Sequence, residues 1–316
     1  MLIENPLLVV LAITISVSHV LGSYIVPRAC AGLSTSYPAP VVSSGWTAQV
    51  VANGLSSPRG IAFDISGSLL VVEQGTGVSR LTFNTDQTGC VSLVGSKKSV
   101  IAQTDLNHGI ALSTDGLTLF VSSKANVYAW PYAPTTGTVV SSSRTTIVNN
   151  MSNADHTSRT LTISKRDPTK LLVSRGSNDN VDKGTRDITS GRSMIKVFDL
   201  TKQPAGRPYE YSREGRVLGW GLRNDVGVAE EPLTGGIYSV ENSMDDISRD
   251  GVDVHTDNPG EELNYFGSLS DPVPAQPPNY GYPDVSPAPK LLSRLYVSST
   301  NMEFISVSRL VEYKRA

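Results

Sequence analysis

The feature that most limits what this chain can fold into is an internal repeat. One copy runs Ser57-Pro58-Arg59-Gly60-Ile61-Ala62-Phe63-Asp64-Ile65-Ser66-Gly67-Ser68-Leu69-Leu70-Val71-Val72-Glu73. The next runs Asn107-His108-Gly109-Ile110-Ala111-Leu112-Ser113-Thr114-Asp115-Gly116-Leu117-Thr118-Leu119-Phe120-Val121-Ser122. Each reads as a strand, a glycine-containing turn and a second strand. A third copy begins at His156-Thr157-Ser158-Arg159-Thr160-Leu161, turns at Arg166-Asp167-Pro168 and resumes at Leu171-Leu172-Val173-Ser174. A more diverged fourth runs from Leu222-Arg223-Asn224 through Gly235-Gly236-Ile237-Tyr238. A period of ~50 residues filled with short strands and tight turns is the signature of a β-propeller, because one such sheet cannot bury both faces alone and stacks on its neighbours. The chain is expected to be all-β.

Symmetry gives the residues at the repeat entrances special standing. Arg59, His108, His156 and Arg223 occupy roughly the same point of their copies, so a propeller carries them to one face. Loops gathered at one end of such a scaffold are a usual place for a site. For each residue taken singly, hydrogen bonding to loop carbonyls is the plain alternative.

Composition narrows the partners. With 316 residues and 39% hydrophobic content the chain can bury a full core, and 27 Lys+Arg against 29 Asp+Glu leave no basic field for nucleic acid. Small molecules are the expected partners. Residues 1–22, with the apolar stretch Pro6 to Val17 and small residues near Gly22-Ser23, read as a secretory signal peptide. No other stretch is apolar for the ~20 residues that cross a bilayer, so an extracellular protein without a membrane span is expected. In a secreted chain its two cysteines, Cys30 and Cys90, read economically as one disulfide tying the N-terminal segment 23–44 to the first repeat, with two buried thiols as the alternative. Asn150-Met151-Ser152 is a glycosylation sequon.

Two motifs carry chemistry. Gly221-Leu222-Arg223-Asn224-Asp225-Val226-Gly227 sets a cation and an amide on a turn, and Asp257-Asn258-Pro259-Gly260-Glu261-Glu262-Leu263-Asn264 follows with carboxylates. Together they suit an anionic cofactor beside a hard metal ion. After Gly267, seven prolines from Pro272 to Pro289 are too dense for interior strands. Residues 268–292 are therefore read as a linker or extended surface segment, and 293–316 as a residual strand pair after a partial propeller over 45–267.

With His156-x-x-Arg159-Thr160-Leu161, Gly176-Ser177-x-Asp179-Asn180-Val181-Asp182, Gly221-Leu222-Arg223-Asn224 and the Asp257–Asn264 loop in this order, the chain resembles the soluble quinoprotein glucose/sorbosone dehydrogenases. It is most similar to their secreted fungal branch, the pyrroloquinoline quinone-dependent pyranose dehydrogenases. The resemblance implies a six-bladed propeller that holds pyrroloquinoline quinone and Ca²⁺ over its central opening. It implies oxidation of a sugar at C1 by hydride transfer to the quinone, with electrons leaving to an external acceptor such as a cytochrome. His156 matches the histidine that takes the substrate hydroxyl proton, and Arg223 the arginine facing the quinone oxygens. Asn224, Arg59 and His108 match or suit cofactor contacts, while Asp257 and Glu262 suit calcium.

The departures from that pattern are equally specific. After Gly281-Tyr282-Pro283 a complete member continues through about two more blades, which are missing here. Four to five blades are therefore expected, with weak cofactor binding and poor turnover. A Ca²⁺-dependent propeller lactonase or hydrolase, and a non-catalytic carbohydrate-binding propeller, are the competing readings.

Overall fold

A computed structural model describes residues 30, 32–34, 38, 41–46, 48–246, 248–249, 251–253 and 261–284. The expected signal peptide at 1–22, Asp257 and the expected strand pair at 293–316 lie outside the described residues.

Each repeat forms a sheet. The first is β1 (Pro58–Phe63), β2 (Leu69–Glu73), β3 (Gly77–Leu81) and β6 (Lys98–Ile101), with a side hairpin of β4 (Phe83–Thr85) and β5 (Val91–Leu93). The second is built on β7 (Leu106–Leu112), β8 (Thr118–Ser123), β9 (Val127–Ala133) and β11 (Thr145–Asn149), to which β10 (Thr138–Val139) and β15 (Tyr209–Glu210) add. The third is β12 (Leu161–Ile163), β13 (Lys170–Arg175), β14 (Met194–Asp199) and β16 (Arg216–Trp220). The fourth is β17 (Asp225–Glu230), β18 (Gly236–Glu241) and β21 (Glu262–Ser268). A short hairpin, β19 (Ser248–Arg249) with β20 (Val252–Asp253), lies between β18 and β21. Among the described residues the result is a four-blade, incomplete propeller, within the four to five blades expected.

Tight turns at the hairpins have a local cause. Asp64 Oδ1 accepts the backbone N–H groups of Ser66 and Ser68 at 2.9 Å each, closing an Asx turn between β1 and β2. Asp115 repeats the device between β7 and β8, where its Oδ1 accepts from Leu117 N–H at 3.0 Å.

The core is divided among the seams between blades, and strand alternation decides which seam each residue fills. On β8, Leu119 and Val121 turn toward the first blade, where Leu70, Val72 and Val78 meet them, while Phe120 turns toward the third. On β13, Leu171 and Val173 join that second seam and Leu172 enters the third, with Ile195, Val228 and Ile237. Strands buried on both faces read as unbroken apolar runs, which is why Leu69-Leu70-Val71-Val72 and Leu171-Leu172-Val173 lack alternation. Each such buried side chain contributes ~1.5–3 kcal/mol. On the far face of the fourth sheet Val240, Leu263 and Tyr265 remain exposed by 47%, 68% and 55%. Among the described residues β21 pairs only with β18.

The innermost strands approach one another very closely. A Cβ on Gly60 would stand 2.2 Å from the carbonyl oxygen of His108, and one on Gly109 would stand 2.0 Å from that of Arg159. Only glycine allows these contacts, so the repeated Gly is a packing requirement. The same contacts align the blades and correct one expectation. The counterpart of Arg59 and His108 in the third blade is Arg159, and His156 sits three residues earlier in the entry loop.

Two covalent and local features hold the margins. Cys30 and Cys90 form the expected disulfide, 5.5 Å apart between Cα atoms. In the proline-rich stretch, residues 277–284 are anchored: Trp220 Nε1 donates to Pro277 O at 3.2 Å, and Tyr282 is only 5% exposed.

Candidate functional site

The loops that join one blade to the next share a face with the loops between the second and third strands of each blade. Across the inner strands a line of hydrogen bonds links all the blades. Arg59 Nη2 lies 3.4 Å from His108 Nδ1, and His108 Nε2 lies 3.2 Å from Thr160 Oγ1. Thr160 donates its hydroxyl proton to Val226 O at 2.8 Å. Thr160 Oγ1 must then accept from His108, which places the imidazole proton on Nε2 and leaves Nδ1 to receive the Arg59 guanidinium. Burial, then the Arg59 cation, push the His108 pKa down to about 4. His108 is thus a neutral link that steadies Arg59.

The second group surrounds His156. This residue sits in the loop from β11 to β12 with φ +27°, in the left-handed region that side-chain-bearing residues rarely adopt. Arg159 holds the strained turn: its Nη1 donates to His156 O at 2.8 Å and to Ser158 O at 2.6 Å, and its Nη2 to Met151 O at 2.6 Å. Arg159 is fully buried, and desolvation, with the Arg175 cation second, pushes its pKa down to about 9. The ring of His156 meets Ser177 Oγ at 2.7 Å through Nδ1. Its pKa lies below the ordinary histidine value, first through burial and then through the Arg223 cation, against which Asp155 and Asp245 act.

Arg223 and Asn224 stand in the loop before β17. Glu241 at the end of β18 accepts the Arg223 backbone N–H through Oε1 and the Asn264 amide through Oε2 at 3.0 Å. The Arg223 guanidinium, 2% exposed, donates from Nε to Asn180 O at 3.1 Å. From Nη2 it donates to Asn180 Oδ1 at 2.7 Å and Asp245 Oδ2 at 2.9 Å. Asn224 is also buried, and its Nδ2 donates to Asn242 Oδ1 at 3.0 Å while its own Oδ1 has no hydrogen-bond partner among the described residues. An amide oxygen buried without a donor costs ~1–3 kcal/mol, and one on this loop face is suited to a ligand that brings a donor.

Four of the expected site residues are therefore gathered in two adjoining groups, Arg59 with His108 and His156 with Arg223, and Asn224 joins the second. Glu262 opens β21, directly across the ladder from Glu241, which in turn faces Asp225. Burial, followed by repulsion from Glu262, raises the Asp225 carboxyl pKa; burial, followed by repulsion from Asp225, raises that of Glu241, and burial raises that of Glu262. Among the described residues no three His, Cys, Asp or Glu side chains are arranged to hold a metal ion. Ser177, Arg159 and Glu241 have supporting roles that their sequence positions did not announce. Arg159 had a usable signal in its register with Arg59 and His108, and Ser177 had one in its place within the Gly176-Ser177 motif.

A cleft of about 400 Å³ opens between the first two blades, bordered by Gln74, Asp105, Asn107, Lys124 and Thr157. Thr157 brings it beside His156.

Fold and site together define a propeller whose loop face gathers a histidine, buried arginines and an unsatisfied amide oxygen. The TrAA12-like family model matches residues 40–291, and the chain belongs to that family. It is 49% identical over 252 residues to a pyrroloquinoline quinone-dependent sugar dehydrogenase of Hypocrea jecorina, covering 80% of this chain and 58% of that protein. It is 40% identical to a pyrroloquinoline quinone-dependent pyranose dehydrogenase of Coprinopsis cinerea, covering 73% of this chain and 31% of that protein. Among solved structures, a calcium structure of the Trichoderma reesei AA12 enzyme superposes with a TM-score of 0.76 at 48% identity, over 81% of this chain and 62% of that one. The holo pyranose dehydrogenase quinone domain of C. cinerea gives 0.66 at 40% identity, over 75% of this chain and 56% of that one. The chain thus spans little more than half the length of the H. jecorina relative.

Proposed function

We propose that this chain is a secreted sugar dehydrogenase that uses pyrroloquinoline quinone, oxidising a pyranose at C1 and passing the electrons to an external acceptor. The observation that carries the reading is the juxtaposition of a neutral, desolvated His156 with the buried Arg223 and Asn224 on the loop face.

These residues fit the cofactor. Asn224 Oδ1 is a buried acceptor without a donor among the described residues, and Arg59 is an exposed guanidinium suited to a carboxylate. Arg223 keeps Nη1 free of hydrogen bonds among the described residues. When bound, pyrroloquinoline quinone supplies the centre that accepts the hydride. The chain supplies the rest. Arg223, Asn224 and Arg59 bind and orient the cofactor, and the Arg223 charge favours the anionic character that develops there. His156, kept neutral at working pH, takes the proton of the sugar hydroxyl. The cleft beside Thr157 offers Asp105, Asn107 and Lys124 to the remaining sugar hydroxyls.

Calcium stands differently. Glu262 belongs to the described residues and Asp257 does not, and the described donors alone do not make a calcium site.

Secretion is supported by the Cys30–Cys90 disulfide, which belongs to an oxidising compartment. Asn150, exposed at the end of β11, is open to glycosylation. No helix among the described residues is long and apolar enough to cross a membrane.

The test is sugar-dependent reduction of an acceptor dye by the quinone-loaded chain, compared with His156→Ala and Arg223→Ala. Turnover lost in both variants supports the reading. A folded chain that takes up no pyrroloquinoline quinone removes it.

A further inference from the structure

Ser177 makes two short contacts through one oxygen, with the Tyr282 hydroxyl, itself able to donate, as a further polar neighbour. Its Oγ is 2.7 Å from His156 Nδ1 and 2.7 Å from the backbone oxygen of Asp179. A serine hydroxyl has one proton, and a carbonyl oxygen has none to give. The contact with Asp179 O is therefore attractive only if Ser177 donates there. Ser177 Oγ is then left with lone pairs toward the imidazole, and its contact with the ring is attractive only if His156 Nδ1 carries the hydrogen.

We infer that Ser177 is the positioning residue that fixes His156 as its Nδ1–H tautomer, leaving the lone pair on Nε2. That this nitrogen is the one offered to a sugar hydroxyl rests on the function proposed above.

Several features keep Ser177 in that role. It is fully buried, and its backbone N–H donates to Arg223 O at 2.8 Å. Asn153 Nδ2 holds the carbonyl groups of Gly176 and Ser177 at 2.7 and 3.0 Å. Tyr282 adds a clamp, for its hydroxyl lies 3.1 Å from Asp179 O while accepting Asp182 N–H at 2.7 Å. The serine is thus tied on one side to the arginine of the site and on the other to the loop that takes its proton.

The nearest carboxylate does not compete for the ring. Asp155 Oδ2 stands 3.9 Å from His156 Nδ1 on a side chain 57% exposed, and Asp155 Oδ1 accepts the His156 backbone N–H at 2.8 Å. A neutral hydroxyl orients the imidazole without the extra stabilisation a carboxylate gives to the protonated ring. That choice agrees with a base held neutral. The other charged groups facing the ring are Arg223 from the loop before β17 and Asp245 from the loop after β18.

Nitrogen NMR of the full chain labelled with ¹⁵N-histidine, without cofactor and at neutral pH, reads the tautomer directly. In the wild type His156 is expected to show a protonated Nδ1 and an unprotonated Nε2, and Ser177→Ala is expected to move the population toward Nε2–H. In the quinone-loaded protein the same substitution is expected to lower kcat by about tenfold or more, with KM nearly unchanged. An Nε2–H signature in the wild type overturns the inference, as does an unchanged Nδ1–H signature in Ser177→Ala. A wild type that shows the Nδ1–H signature but oxidises no sugar removes the proposed function and leaves the role of Ser177 standing.

Discussion

His108 and Thr160 join the second and third blades by one hydrogen bond, from imidazole Nε2 to Oγ1 across 3.2 Å. The bond requires neutral imidazole on the Arg59 side, because protonating Nδ1 would set one cation against another. Its folded pKa is depressed to about 4 from 6.5. The sign follows from proton counts: between those values the unfolded chain binds a proton that the folded chain refuses. Stability from this residue is therefore present above about pH 6.5 and lost as pH falls toward 4, by at most about 3 kcal/mol. His108→Gln retains a donor and an acceptor without titrating. Urea midpoints measured from pH 7 to 4 are expected to fall less steeply in the variant.

Gly176 faces Asn224 and His156 at once. A Cβ there would lie 2.7 Å from Asn224 Oδ1 and 2.7 Å from His156 Cβ. Gly176→Ala is expected to displace both, destabilising the fold by about 1–3 kcal/mol. Quinone affinity is expected to fall more than the stability change accounts for. Thermal melts paired with cofactor titration separate the two effects, and unchanged affinity in the folded variant would contradict the placement of Asn224 at the cofactor.

The repeat made the blades legible because period and turn chemistry are local properties. Asp64 and Asp115 close their own hairpins, and the apolar runs on β2 and β13 are buried on both faces. The site was legible only in outline. His156 and Arg223 stand in motifs, but the strained loop moves His156 out of register with Arg59 and His108, and the packing of Gly109 on Arg159 establishes the true counterpart. Ser177 and Glu241 are common residue types whose roles arise from contacts across 21 and 18 positions of chain. No spacing rule encodes such contacts.

Asp245 supplies a prediction of opposite sign. Its carboxylate, 69% exposed, pairs with the buried Arg223 guanidinium at 2.9 Å. In the proposed site it competes with the incoming anion. Asp245→Asn is expected to tighten quinone binding by about two- to fivefold at low salt, an amount typical of one partly exposed charge pair. Removing the anion also lets the histidine of the site fall further below its ordinary pKa, since Asp245 acts to raise it. The acid limb of the rate profile should move to lower pH. Weaker binding in the variant would mean that Asp245 holds Arg223 in place for the cofactor rather than competing with it.

The carboxylates across the fourth sheet are expected to weaken the fold as pH rises. Asp225 on β17 stands opposite Glu241 on β18, and both carboxyl pKa values are raised, chiefly by burial. For a raised carboxyl the folded chain holds a proton that the unfolded chain has released. Its contribution is complete below the ordinary carboxylate range and declines as pH climbs through neutrality and beyond. Asp225→Asn removes one of the repelling charges while keeping an acceptor for Ser239 Oγ. Its stability is expected to change less between pH 6 and 9 than that of the wild type, as read by urea midpoints. Because Glu241 receives the Arg223 backbone N–H, the wild-type loss should extend to the site, with quinone affinity declining over the same interval. Parallel pH curves for wild type and Asp225→Asn would show that the carboxylates ionise independently, and the link from this sheet to Arg223 would fail with them.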